Sequence, residues 1–193
     1  MWYVKTPPAT EPVSLSEAKA HLRVDGTDED ALITALITAA RQKVEDWLGR
    51  ALITQTLVYM RDEWPEGDEM ALPGGQLLSL VSVKYKDSAG AEYTFGDVVA
   101  DTQSIPGRIV LDYGCLWPTS VTLHPVNPIC VEYTAGYGAT AASVPAKIKQ
   151  AILLLVGELY RNREETTAEK LMQLPIGISA LLERDVVYWT ESK

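Results

Sequence analysis

The stretch "DEDALITALITAARQKVEDWLGR", residues 28–50, restricts the fold more than any other part of the chain. Leu32, Leu36, Ala39 or Ala40, Val44, Trp47 and Leu48 return at three- and four-residue steps, which predicts an α-helix over residues 28–48 with one apolar face. Thr27 is the expected cap, Asp28, Glu29 and Asp30 place negative charge at the positive helix end, and Gly49 supplies the stop. About twenty residues at a rise of ~1.5 Å make a rod of roughly 30 Å, as long as a small domain is wide. Ile33 and Ile37 widen its apolar face, so the rod is expected to pack on more than one side.

A second helix is predicted over residues 144–162, with Ser143 as cap and Pro145 tolerated in the first turn. Ile148, Ile152, Leu155 and Leu159 form its stripe. Ala151, Leu153, Leu154 and Val156 make its middle apolar almost all round, so the fold itself or neighbouring subunits must bury it. Ahead of the long rod, "TPPATEPVSLSEAKAHLRV" gives an extended proline-rich lead and then a short helix over residues 15–22, capped by Ser14 with Glu17 as capping-box partner. A last short helix is expected over residues 177–186.

Between the two long helices the chain turns β in character. "LITQTLVYM", "LLSLVSVKYKD", "AEYTFG", "GRIVLDYG" and "ICVEYTAG" are short runs rich in Val, Ile, Thr and Tyr, separated by turn residues. They predict five or six strands, with a hairpin joined at "SAG". The expected fold is α+β: an α-helical bundle built from residues 1–50 and 140–193, with an antiparallel β subdomain inserted at residues 51–139.

A net charge of −9 with no run of Lys or Arg excludes tight gripping of nucleic acid, while leaving room for a surface past which DNA slides without sticking. Two cysteines, Cys115 and Cys130, are too few for a disulfide framework or a cysteine zinc site. The longest apolar stretch, "AILLLVG", is far short of the roughly 20 residues that span a bilayer, and no membrane association is expected.

Gly136, Gly138 and Ala141 stand in G-x-G-x-x-A spacing after a β run and before a helix, one form of the dinucleotide fingerprint. A nucleotide-binding enzyme built on Gly136–Ala141 is therefore one reading. Against it, the helix cannot open until about Ser143, and no second strand follows to carry a ribose-binding carboxylate. The other reading is a β-to-α corner in which the glycines adopt backbone angles closed to other residues, with Tyr137 projecting between them. Asp25, Asp28, Glu29 and Asp30 lack the ligand spacing of a calcium loop and read as helix capping. No nucleophile elbow, zinc motif or paired-cysteine motif is present, so no catalytic, cofactor or metal residue is assigned.

Two surfaces are candidates for contacts. "DEWPEGDE" supplies Asp62, Glu63, Glu66, Asp68 and Glu69, a solvated turn or an acidic patch facing a DNA channel. The end segment "LLERDVVYW" offers Leu181, Leu182, Tyr188 and Trp189, which either dock on the chain's own core or, with Tyr137, anchor another subunit or a partner.

Two longer stretches carry a family resemblance. "EPVSLSEAKAHLRVDGTDEDALITALITAARQKVEDWLGRALITQT" resembles the opening of the head-tail connector proteins (adaptors, or head completion proteins) of tailed bacteriophages and prophages. The marks are the Pro-x-Ser-Leu-x-Glu-Ala-Lys lead, the Asp-rich turn, the long helix with Ala-Arg and Val-Glu, and the exit Gly-Arg-x-Leu-Ile-Thr-Gln-Thr. "VEYTAGYGATAASVPAKIKQAILLLVGELYRNRE" is similar to the family's second signature, a Gly-rich corner, Val-Pro, and a helix ending Tyr-x-x-Arg-Glu. The end departs from the family pattern: Glu183, Arg184 and Asp185 follow the leucines where members often lead to Pro-Tyr-Arg.

The resemblance implies a structural virion protein without enzymatic activity or cofactor. It implies a ring of about twelve copies matching the portal, extending the DNA channel and joining head to tail. The implied partners are the portal protein, a tail-completion or tail-terminator protein, and DNA that passes without specific binding. The implied location is the head-tail junction of the virion, reached from the host cytoplasm. Another phage morphogenesis role, in tail completion or on the capsid, is the neighbouring alternative.

Overall fold

The computed structural model describes residues 1–162 and 176–189. Four α-helices are present among them: α1 Leu15–Leu22, α2 Asp30–Leu48, α3 Ala146–Arg161 and α4 Ile176–Leu182. The strands are β1 Trp2–Thr6, β2 Gln55–Arg61, β3 Glu69–Ala71, β4 Leu77–Lys86, β5 Glu92–Phe95, β6 Val98–Asp101, β7 Arg108–Leu111 and β8 Ile129–Ala135.

The expected helical bundle with an inserted subdomain is corrected by this arrangement. The molecule is mixed α/β, with eight strands among the described residues in two antiparallel sheets, one of five strands in the order β1-β2-β8-β4-β5 and one of three in the order β3-β7-β6. Three strands escaped the reading of the sequence. β3 holds only three residues, too few to show alternation, and β6, Val98–Asp101, follows β5 after only two residues, so no separate run marks it. β1 sits in what reads as a proline-rich lead, but Pro7 and Pro8 begin only after it ends, and Trp2, Tyr3 and Val4 pair with Tyr59, Val58 and Leu57 of β2.

Helix ends follow local chemistry closely at α1. There the Ser14 hydroxyl accepts from the Glu17 amide while the Glu17 carboxylate accepts from the Ser14 amide, 2.7 Å away. Thr27 and Ser143 do not cap as expected. α2 begins at Asp30 behind Glu29, and α3 begins at Ala146 behind Pro145, after a 3₁₀ turn at Ala141–Ser143 that takes up the serine.

Two apolar clusters result. Around α2, Ile33, Ile37, Ala40, Val44 and Leu48 meet Ile148, Ala151, Ile152 and Val156 of α3, with Ile178 and Leu182 of α4. Between the sheets, Leu57, Tyr59, Val131, Tyr133, Val83, Met70 and Ile109 meet a group of aromatic rings. Alternation explains the second cluster: Leu57 faces Tyr133 and Tyr59 faces Val131 across β2 and β8, so both strands turn the same side inward.

Candidate functional site: the junction of helices and sheets

α2 hands the chain to β2 over residues 49–54, and the buried polar residues Arg41, Arg50 and Gln55 lie around that junction. Arg41 falls at a core position of α2, in step with Ile37, Val44 and Leu48, and is 5% exposed. Its Nε donates to Glu11 Oε2 at 2.8 Å, and its Nη1 meets Glu45 Oε2. Glu45 also accepts from the Leu52 amide at 2.8 Å and from Gln55 Nε2 at 3.0 Å. Glu45 thus ties the end of α2 to the start of β2, and Arg41 carries the link on to the lead through Glu11. Burial raises the Glu45 pKa, and the Leu52 amide and Arg41 oppose the shift. Beside these groups a cleft of about 600 Å³ opens between β1 and α2, walled by Trp2, Val4, Pro7 and Pro8.

Gly49 ends α2 in the left-handed conformation, φ +63°, and Arg50 follows, 6% exposed. The Arg50 guanidinium lies over the Tyr137 ring, 4.0 Å from its centroid. Burial lowers the Arg50 pKa, while Tyr137 and Asp185 work to keep the charge.

Tyr137 reaches Arg50 because the glycine corner folds onto the same junction. Gly136 has φ +140°, and a Cβ there would stand 2.8 Å from the carbonyl carbon of Ile53. The corner's backbone is already paired: the Gly136 amide donates to Gln76 O, the Tyr137 amide to Leu52 O, and Gly138 O accepts from the Thr54 amide at 3.0 Å. The amides of Gly136 and Tyr137, which a nucleotide phosphate would need, are spent on the β2 and β4 entries. The residues 136–141 form the β-to-α corner that the second reading expected.

The remaining candidates are spread out. Tyr188 is 85% exposed and Leu181 37%, whereas Leu182 is fully buried in the helical cluster. Trp189 packs edge-on against Tyr59 with centroids 5.5 Å apart. Glu63, Glu66 and Asp68 are exposed on one loop; Asp62 accepts from the Asn127 amide, and Glu69 pairs with Arg108. That loop is held from beneath, since Trp117 Nε1 donates to Gly67 O at 2.8 Å and its ring stacks on Trp64. Asp30 pairs with Lys19 at 2.6 Å, and Glu29 accepts from the Tyr160 hydroxyl. Among the described residues no group of His, Cys, Asp and Glu is placed to hold a metal ion.

Sequence reasoning passed over Arg41, Glu45, Arg50 and Gln55 as single residues, although Ala-Arg, Val-Glu, Gly-Arg and the Gln of the exit were the marks of the resemblance. The missed signal was positional: Arg41 stands where the apolar stripe demands a hydrophobe, and a charge there needs a buried partner.

The buried charges of this mixed α/β body join its own elements to one another. The chain belongs to the head completion protein family, whose model matches residues 11–170. No curated protein matches it. Among solved structures it is similar to a chain of the virion of a native gene transfer agent particle, at 23% identity and TM-score 0.78, covering 100% of this chain and 98% of that one. It is equally similar, with the same identity, TM-score and coverage, to a chain in the neck of the native particle computed with C12 symmetry. A chain in the neck of the empty particle, computed with C6 symmetry, gives a TM-score of 0.77.

Proposed function

We propose that this protein is a head-tail connector, a structural ring component seated under the portal that extends the DNA channel and joins head to tail. Membership of the head completion family over residues 11–170 carries this reading. The likeness over the whole chain to proteins of a C12-symmetric neck supports a ring of about twelve copies. A net charge of −9 suits a passage through which DNA slides without being held. In the ring, Asp62, Glu63, Glu66, Asp68 and Glu69 face the channel. Leu181 and Tyr188, with the part of Trp189 left uncovered, meet a neighbouring copy or the portal, and a tail-completion protein closes the other face. The protein reaches this place from the host cytoplasm.

The test is binding to heads. Purified protein added to portal-bearing, DNA-filled heads is expected to appear by electron microscopy as ring density at the portal vertex. A protein that neither forms rings nor associates with such heads overturns the proposal.

A further inference from the structure

Residues 183–189 cross the line between the helical and the β clusters and are bonded on both sides. Val186 packs on the helical cluster. The Val187 amide donates to Leu48 O at 2.8 Å, and the Val187 carbonyl lies so close to Gly49 that a Cβ there would stand 2.6 Å from it. Trp189 then enters the β cluster, its Nε1 donating to Ala71 O at 3.2 Å and its ring meeting Tyr59. The first half of the segment is one 3₁₀ turn, Glu183–Asp185, and the rest has no regular structure.

Its electrostatic fixing is incomplete. Asp185 Oδ2 lies 2.6 Å from Lys147 Nζ, yet the pair is not aligned as a hydrogen bond, and Arg50 pulls on the same carboxylate from the junction. Arg50 Nε and Nη2 and Asp185 Oδ2 are buried without hydrogen-bond partners among the described residues. Asp185 thus carries an ion pair to Lys147 and an electrostatic attraction to Arg50 but no hydrogen bond at Oδ2, in contrast to Glu45, whose oxygens accept from Arg41, Leu52 and Gln55.

We infer that residues 183–189 are a detachable brace holding the β cluster at its angle to the helices, with Asp185 as its catch. Letting go breaks one ion pair, two hydrogen bonds, the Val186 packing and the Trp189 contact, while no strand ladder and no turn of α1, α2 or α3 is disturbed. The release uncovers Gly49, the Leu48 and Ala71 carbonyls and part of Tyr59, while the Glu45 hub, the Arg50–Tyr137 stack and the backbone bonds of the glycine corner still join the two halves. The inference is intramolecular and stands apart from the connector reading.

Amide hydrogen exchange on the full chain tests it first. The Val187 amide is expected to exchange at least a hundredfold faster than the Val131 and Tyr133 amides of β8, and Asp185→Asn to speed Val187 by roughly tenfold more without touching β8. Equal protection of Val187 and β8 overturns the detachable brace, and an unchanged Val187 rate in Asp185→Asn overturns the catch. The angle is read by spin-label distances between Ser16→Cys and Thr94→Cys in a Cys115→Ser, Cys130→Ser background. A narrow distribution that broadens with Trp189→Ala is expected; one that stays narrow overturns the bracing role. Should Trp189→Ala fail to fold, Asp185→Asn supplies the same distance reading.

Discussion

Arg50 stacks on Tyr137, 4.0 Å from ring centroid to guanidinium carbon, and so fastens the glycine corner to the exit of the long helix. The two residues come from the two separate stretches that carried the family resemblance. Tyr137→Phe keeps the ring face and is expected to shift stability by less than ~0.5 kcal/mol, whereas Tyr137→Ala removes both stacking and packing and costs about 2–3 kcal/mol. Urea unfolding of the two variants beside the parent checks the difference.

At Glu45 the loss is larger. Glu45→Ala strips a partner from buried Arg41 and leaves the Leu52 amide and Gln55 unpaired, which is expected to cost about 3–5 kcal/mol. Glu45→Gln retains an acceptor and should cost less. A denaturation midpoint for Glu45→Ala within error of the parent's would show that the hub ties nothing.

Two carboxylates respond to pH in opposite senses. The capping box lowers the Glu17 pKa from 4.5 to about 2, so its contribution is fully present above 4.5 and is lost as pH falls toward 2. Glu45 is raised above 4.5 by burial, so the folded state holds its proton more readily and the stability contributed by this group declines as pH climbs through the raised value. Carboxyl chemical shifts followed by NMR should place Glu17 and Glu45 on opposite sides of 4.5. Glu17→Gln should remove its part of the acid loss.

Much of this was visible beforehand, and the exceptions have physical causes. α1 appeared with its predicted ends because the Ser14 and Glu17 pair acts within one turn. The hairpin of β4 and β5 appeared because residues 83–86 and 92–95 alternate across a short turn. β1 did not, since its partner lies more than fifty residues away and nothing in "WYVKT" names it. The helical bundle was overestimated for the same reason: local patterns show helices, whereas sheets form between distant segments. Arg41 and Glu45 were not singled out, because their burial depends on Glu11 and Gln55 arriving from elsewhere.

Gly136 supplies a test of the corner. Gly136→Ala places a Cβ against the Ile53 backbone at a φ of +140° and is expected to destabilise the fold by about 2–4 kcal/mol. Calorimetric titration of the parent with common nucleotides should give no heat. Saturable heat would restore the phosphate reading.

The strand order β1-β2-β8-β4-β5 has a consequence for how the protein is made. The strand that joins β2 to β4 is β8, the last of the eight to leave the ribosome. Until residue 135 has emerged, β2 and β4 each present an open edge, and the hairpin of β4 and β5 has no partner on its other side. The five-stranded sheet therefore cannot close before β8 is available to slot between them, and until then two pairing edges stand open.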